Sequence, residues 1–223
     1  VAIKVIHAHL ATEEGFTERF RREAKLVARL RHPHIVQLHD FDVVNDQPFM
    51  VMEYLDGGTL KERLAQYRAR GETMPLAEIA RLLEPIAAAL DYAHAHGAVH
   101  RDIKPANILF TAQGEPVLSD FGIAKILGES AQISASGGVV GTPAYISPEQ
   151  ATSQPVDARS DLYSLGVVLY EMAAGRVPFQ GDTPTAVMMQ HLNDAPPPPR
   201  QLNPNLPEPV KAVILKAHAK HPT

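Results

Sequence analysis

The sequence predicts an α+β chain whose strands fall within the first 54 residues and whose remainder is mainly helical. Three observations carry this. Short β-branched runs occur at 1–6, 36–44 and 48–54, and long helical patterns of apolar residues occur at 79–90 and 162–174. Between those helices lie two short polar motifs, at 100–107 and 119–122.

Taken in order, residues 1–6 are read as a strand. Thr17 is the expected N-cap of a helix reaching about Leu30, with Phe20, Val27 and Leu30 on one face and a stop at Pro33. Glu23 falls at i+3 from Phe20 and i−4 from Val27, on the apolar side. A carboxylate there needs a cation, and Lys4 is the natural candidate. Two strands at 36–44 and 48–54 are joined by Asn45-Asp46-Gln47. Met52-Glu53-Tyr54-Leu55 followed by Asp56-Gly57-Gly58 reads as a chain hinge.

Pro75 starts the next helix, with Ile79, Leu82, Leu83, Ile86 and Leu90 on one stripe ending near Gly97. Pro85 falls inside it and is expected to kink it, at a cost of about 3 kcal/mol. Ser160-Asp161 is read as the start of a helix apolar nearly all round from Leu162 to Ala174, stopping at Gly175. Such a helix belongs in the middle of a core. Pro196 to Pro199 form an extended connector.

Composition narrows the function. A formal charge of −4 with mixed signs gives neither a nucleic-acid footprint nor a polybasic membrane patch. No cysteine is present, which excludes disulfides and thiolate metal sites. The run Leu162 to Ala174 is interrupted by Glu171 and is too short to span a bilayer. The histidine pairs His94/His96 and His32/His34 lack the i, i+4 spacing of a helical zinc pair. His100 reads instead as a packed scaffold residue.

The motifs carry chemistry. Residues 100–107 are His-Arg-Asp-Ile-Lys-Pro-Ala-Asn, and Ser119-Asp120-Phe121-Gly122 follows a short apolar strand. Moving a phosphoryl group needs a carboxylate facing the attacking hydroxyl and two oxygen ligands for Mg²⁺. Asp102, Asn107 and Asp120 can supply those parts. Six specified positions in an eight-residue window arise by chance on the order of once in tens of millions of windows.

These residues, together with Val1-Ala2-Ile3-Lys4 and the segment Gly141-Thr142-Pro143-Ala144-Tyr145-Ile146-Ser147-Pro148-Glu149, resemble a serine/threonine protein kinase catalytic domain of the bacterial receptor type. The resemblance implies a two-lobed fold, with a partial small lobe at 1–54 and a large lobe at 55–223. It places Val1 at the family's third strand, ahead of which the glycine-rich phosphate loop would lie. The chain then stops short of the family's last helices.

The resemblance also implies roles. Asp102 would accept and orient the substrate hydroxyl, and Lys104 would neutralise the transferring phosphate. Asn107 and Asp120 would bind Mg²⁺ (or Mn²⁺). Lys4 would contact the ATP phosphates while Glu23 holds it. Ala2, Met52 and Leu109 would line the adenine slot, and backbone groups of Glu53 and Leu55 would bond its edge. Residues 120–149 form a long Gly- and Ser-rich stretch, read as a functional loop. Ser134 or Ser136 is the expected autophosphorylation site, with Ser130 as an alternative and Arg101 as the phosphate's partner. Ser147 stands where the family more often has Ala.

The activity implied is transfer of the ATP γ-phosphate to protein serine or threonine, with self-association for phosphorylation in trans. The location implied is cytoplasmic, in relatives tethered by a membrane helix beyond the domain. Two rivals are a nucleotide-binding pseudokinase or scaffold and a small-molecule kinase. The presence of Lys4, Asp102, Asn107 and Asp120 weighs against the first. The Lys104-Pro105 pair and the long loop closing at Ser147-Pro148-Glu149 weigh against the second.

Overall fold

The computed structural model describes residues 1–6, 16–45, 47–121 and 143–220. Strands β1 (Ala2–Val5), β2 (Leu38–Val44) and β3 (Gln47–Met52) form an antiparallel sheet in the order β1-β3-β2. Helix α1 (Phe16–Ala28) packs on it. Phe16, Phe20 and Ala24 recur every fourth residue, so they share one face and enclose a small core with Ile6, Leu38 and Met50. Phe20 stacks on Phe16 at 6.3 Å and meets Phe41 edge-on at 6.2 Å.

Two boundaries differ from the sequence reading. Phe16 is already helical, so Thr17 lies inside α1 rather than capping it. β2 begins at Leu38 rather than at 36, where the Val36 amide pairs instead with the Leu118 carbonyl, and a register shift falls between Leu38 and Asp40.

Helices α2 (Leu60–Ala69) and α3 (Leu76–Ala95) follow. The Thr59 side chain accepts from the Glu62 amide while Glu62 bonds back to the Thr59 amide, a reciprocal cap that fixes where α2 starts. Pro75 caps α3, which continues through Pro85 with Ile79, Leu82, Ile86 and Leu90 buried. The apolar face holds this helix together across the missing amide.

β4 (Ile108–Phe110) and β5 (Pro116–Leu118) make a two-stranded hairpin, followed by α4 (Pro148–Ala151), α5 (Ala158–Ala174), α6 (Pro184–Asn193) and α7 (Glu208–Ala217). Among the described residues, no helix is long and apolar enough to cross a membrane.

α5 is buried nearly all round, as its sequence requires. It starts earlier than expected: the Asp157 side chain caps the Arg159 amide, which places Ser160 and Asp161 in the first turn, both buried. At its far end Gly175 takes φ 80°, the left-handed turn that closes a helix with no Cβ penalty. Gly166 lets α7 approach, since a Cβ there would sit 2.5 Å from that of Ala217.

The larger core joins α3, α5 and the hairpin through Ile86, Leu90, Ile108, Leu118, Tyr170 and Met172. The chain just after α1 is stitched to that hairpin. The Val36 amide donates to the Leu118 carbonyl at 2.8 Å, and the Leu118 amide donates to the His34 carbonyl at 2.9 Å. The sheet therefore sits directly against the strand that leads into Asp120.

Candidate active site

The hairpin sets the geometry. Ile108 opposes Leu118, so Asn107 and Ser119 face one another just beyond the paired strands. Ser119 donates its amide to the Asn107 carbonyl at 2.9 Å. Asp120 is the next residue, and it adopts φ 59°, a left-handed conformation that Asp tolerates better than most residues. Its carboxylate accepts from the Lys4 ammonium at 2.6 Å, which joins the three-stranded sheet to the β4–β5 hairpin. Both partners remain partly open to solvent, with side-chain exposures of 43% and 30%.

Asp102 lies at the centre of the loop. Its Oδ2 accepts from Lys104 Nζ at 2.7 Å and from Asn107 Nδ2 at 2.9 Å, and the same Nδ2 reaches the Asp102 carbonyl at 2.8 Å. With its amide nitrogen committed inward, Asn107 has Oδ1 left to offer a cation. That oxygen and the Asp120 carboxylate are hard donors of the kind Mg²⁺ and Mn²⁺ prefer.

Beneath the loop, His100 is fully buried. Its Nε2 lies 2.9 Å from the Ser119 carbonyl, which can only accept, so Nε2 carries the hydrogen. Nδ1 then accepts the Asp102 amide at 3.3 Å. Burial pushes the His100 pKa down, opposed by the nearby Asp161 and Asp102 carboxylates. The ring packs on Phe121 at 4.5 Å. The scaffold reading of His100 thus holds.

The sequence reading missed Asp161. Its carboxylate accepts from the His100 amide and the Arg101 amide, each at 2.7 Å, and from His94 Nε2 at 2.8 Å. Arg101 stands at φ 66°, a strained setting for a long side chain. Two charge-assisted bonds from one buried carboxylate hold that strain in place. The available signal was an Asp entering an otherwise apolar helix, and the cap assignment had absorbed it.

The segment at 143–149 is fastened to the same loop. Gln150 Nε2 donates to the Arg101 carbonyl at 2.7 Å. Ser147 caps α4 reciprocally with Gln150 and is fully buried, which accounts for a hydroxyl where the family more often has Ala. The Tyr145 hydroxyl donates to Glu171, which also pairs with Arg68 at 3.2 Å. Burial raises the pKa of both Tyr145 and Glu171, so this phenol stays protonated as the donor.

The expected pair of Lys4 and Glu23 is not formed. Glu23 takes hydrogen bonds from its neighbour Arg22 at 3.0 and 3.1 Å, while Lys4 goes to Asp120. With Phe16, Phe20 and Ala24 turned to the sheet, Glu23 points roughly 60° off the centre of the buried face. Arg22 on the same helix is the nearer cation.

Of the residues expected around adenine, Ala2 and Met52 are cross-strand partners. Leu109 is half-buried on β4 and bridges to Thr59, in the segment where the Gly57 amide donates to the Phe110 carbonyl at 3.0 Å. Gly57 approaches that strand so closely that a Cβ would lie 2.4 Å from the Thr111 carbonyl oxygen. The Glu53 amide is used by the Gln37 carbonyl at 2.9 Å, so Glu53 offers a base its own carbonyl. Val27, Val36, Leu38, Met50 and Phe121 line a cavity that opens beside Asp120. Ser130, Ser134 and Ser136 lie outside the described residues.

The model of the protein kinase domain family matches residues 1–222. The chain is 42% identical to the serine/threonine-protein kinase PknB of Mycobacterium leprae over 226 residues, covering 100% of this chain and 36% of that protein. It is 44% identical to a probable serine/threonine-protein kinase of Streptomyces coelicolor, covering 33% of that protein. The chain thus spans about a third of the length of these relatives. The crystal structure of the Mycobacterium tuberculosis PknI kinase domain superposes with a TM-score of 0.76 at 29% identity, over 98% of this chain and 76% of that one. A match along essentially the whole chain, on a fold that brings the two acidic motifs together, means that this chain belongs to the protein kinase family.

Proposed function

We propose that this domain transfers the γ-phosphate of ATP to serine or threonine hydroxyls of proteins, including its own loop at 120–149. The observation that carries the reading is the joining of Lys4, Asp120, Asn107 and Asp102 through hydrogen bonds and one hairpin register. The names borne by the relatives support the choice of hydroxyl acceptor.

The residues divide the work as follows. Asp102 orients the incoming hydroxyl and takes its proton; the Lys104 ammonium and the Asn107 amide on its Oδ2 keep that carboxylate aimed. Lys104, which pairs with Asp102, would turn to a transferring phosphate and offset its charge. Asn107 Oδ1 and the Asp120 carboxylate would hold Mg²⁺, which neutralises charge on the phosphates when bound. Lys4 would steady the α- and β-phosphates. Ala2, Met52 and Leu109 face the adenine ring, with the Glu53 carbonyl and Leu55 amide at its edge.

Transfer of labelled γ-phosphate from Mg·ATP to a Ser/Thr peptide tests the reading. Asp102→Asn should lower kcat at least about a hundredfold while leaving nucleotide affinity nearly unchanged. Equal silence of wild type and Asp102→Asn, with nucleotide still bound, would instead favour a pseudokinase.

A further inference from the structure

Under the segment Pro143–Tyr145 lies a buried polar chain outside the ATP site. Tyr163 comes from α5, His191 from α6 and Lys220 from just beyond α7; Tyr163 is 4% exposed and His191 is fully buried. The direction of every bond in it is determined. The Ala144 carbonyl can only accept, so His191 Nε2 donates to it across 3.2 Å. Burial, with the Lys220 ammonium adding to it, pushes the His191 pKa to about 3, so the ring is neutral and carries one hydrogen. Nδ1 therefore accepts, and the Tyr163 hydroxyl donates to it at 2.9 Å. The Tyr163 oxygen in turn accepts from Lys220 Nζ at 3.2 Å.

Lys220 is anchored on its other sides. Its ammonium donates to the His191 carbonyl at 2.6 Å and lies over the rings of Phe179 at 4.8 Å and Tyr163 at 5.5 Å. Apolar side chains could fill a three-helix junction with no desolvation cost. A chain of bonds with one fixed direction, ending on a single backbone carbonyl, gives something that apolar packing does not: a set position for that carbonyl. The next carbonyl, of Tyr145, is held separately by Ser164 Oγ at 2.7 Å.

We propose that Lys220, Tyr163 and His191 act as a relay of positioning residues that fixes the Ala144 carbonyl, and with it the segment at 143–149, which by its resemblance to the kinase family is the one expected to dock a protein substrate. The proposal rests on the reading of the domain as a protein kinase. It predicts an effect on the peptide and not on ATP, because the relay touches neither Asp120 nor Lys4.

Steady-state kinetics of the purified protein, with Mg·ATP and a Ser/Thr peptide each varied, test it. Tyr163→Phe keeps the ring and deletes one hydroxyl; Lys220→Met keeps the stem and deletes the ammonium. Each should raise the peptide KM about three- to tenfold, the worth of one ordinary hydrogen bond, with the ATP KM within about twofold. His191→Gln retains a donor for Ala144 and should stay near wild type, whereas His191→Leu should show the largest rise. A wild type that transfers phosphate, with Tyr163→Phe and Lys220→Met leaving the peptide KM unmoved or shifting both KM values alike, overturns the relay alone. A wild type that phosphorylates no peptide overturns the kinase reading and the relay with it.

Discussion

At the scale of single residues, buried imidazoles give the molecule a pH dependence whose sign can be worked out. Burial lowers His191 to about 3 and His218 to about 4, from an ordinary 6.5. Below pH 6.5 the unfolded chain takes up protons that the folded chain refuses, so stability is complete above that value and falls as pH drops toward 4 and 3. Melting temperature should therefore decline steadily between pH 6.5 and 4, and His218→Gln should flatten the decline. An equally steep fall in that variant would contradict the assignment. Asp161 shows what a residue-by-residue reading of sequence leaves out. An aspartate near a helix start is ordinarily a cap, and local pattern favoured that meaning. Its partners, the His100 and Arg101 amides, lie some sixty residues away, and only the fold brings them within 2.7 Å. Asp102, Asn107 and Asp120 were legible because their spacing is itself the signal. The Glu23 contact was not, because the residues at helix spacing tell which face is apolar but not which of two nearby cations a boundary carboxylate takes.

Among elements, α5 shows most directly how sequence pattern dictates burial, although its start lies two residues earlier than the sequence suggests. Its apolar circumference demands burial, and α3, α7 and the segment at 143–145 supply it. Gly166 lies inside this helix, where propensity alone would favour Ala by about 1 kcal/mol. The approach of α7 opposes that, because a Cβ would press within 2.5 Å of Ala217. The clash should win. Gly166→Ala is expected to destabilise by about 1–3 kcal/mol, lowering the melting temperature by several degrees. A rise in melting temperature would show that α7 can retreat freely. The strand boundaries were less legible, since Val36 pairs with Leu118, some eighty residues away, rather than with β3, and no turn residue marks that change of partner.

Across the whole molecule, the three-stranded sheet and the helical part meet at two points that matter for chemistry. One is the backbone pairing of His34 and Val36 with Leu118, which fixes the sheet beside the β4–β5 hairpin. The other is the Lys4–Asp120 ion pair at 2.6 Å, which spans the two parts at the site itself. Lys4 therefore holds the carboxylate that we propose for the metal. In the proposed reaction the ammonium would turn toward phosphate and leave Asp120 to the metal. The most direct test is Mn²⁺ binding, followed by electron paramagnetic resonance, in the presence of a non-hydrolysable ATP analogue. Asp120→Asn keeps a residue suited to φ 59° while removing the charge. The account predicts nucleotide-dependent Mn²⁺ binding by the wild type, weakened at least about tenfold in Asp120→Asn and in Asn107→Leu. Binding of Mn²⁺ and nucleotide by both variants as tightly as by the wild type would contradict it.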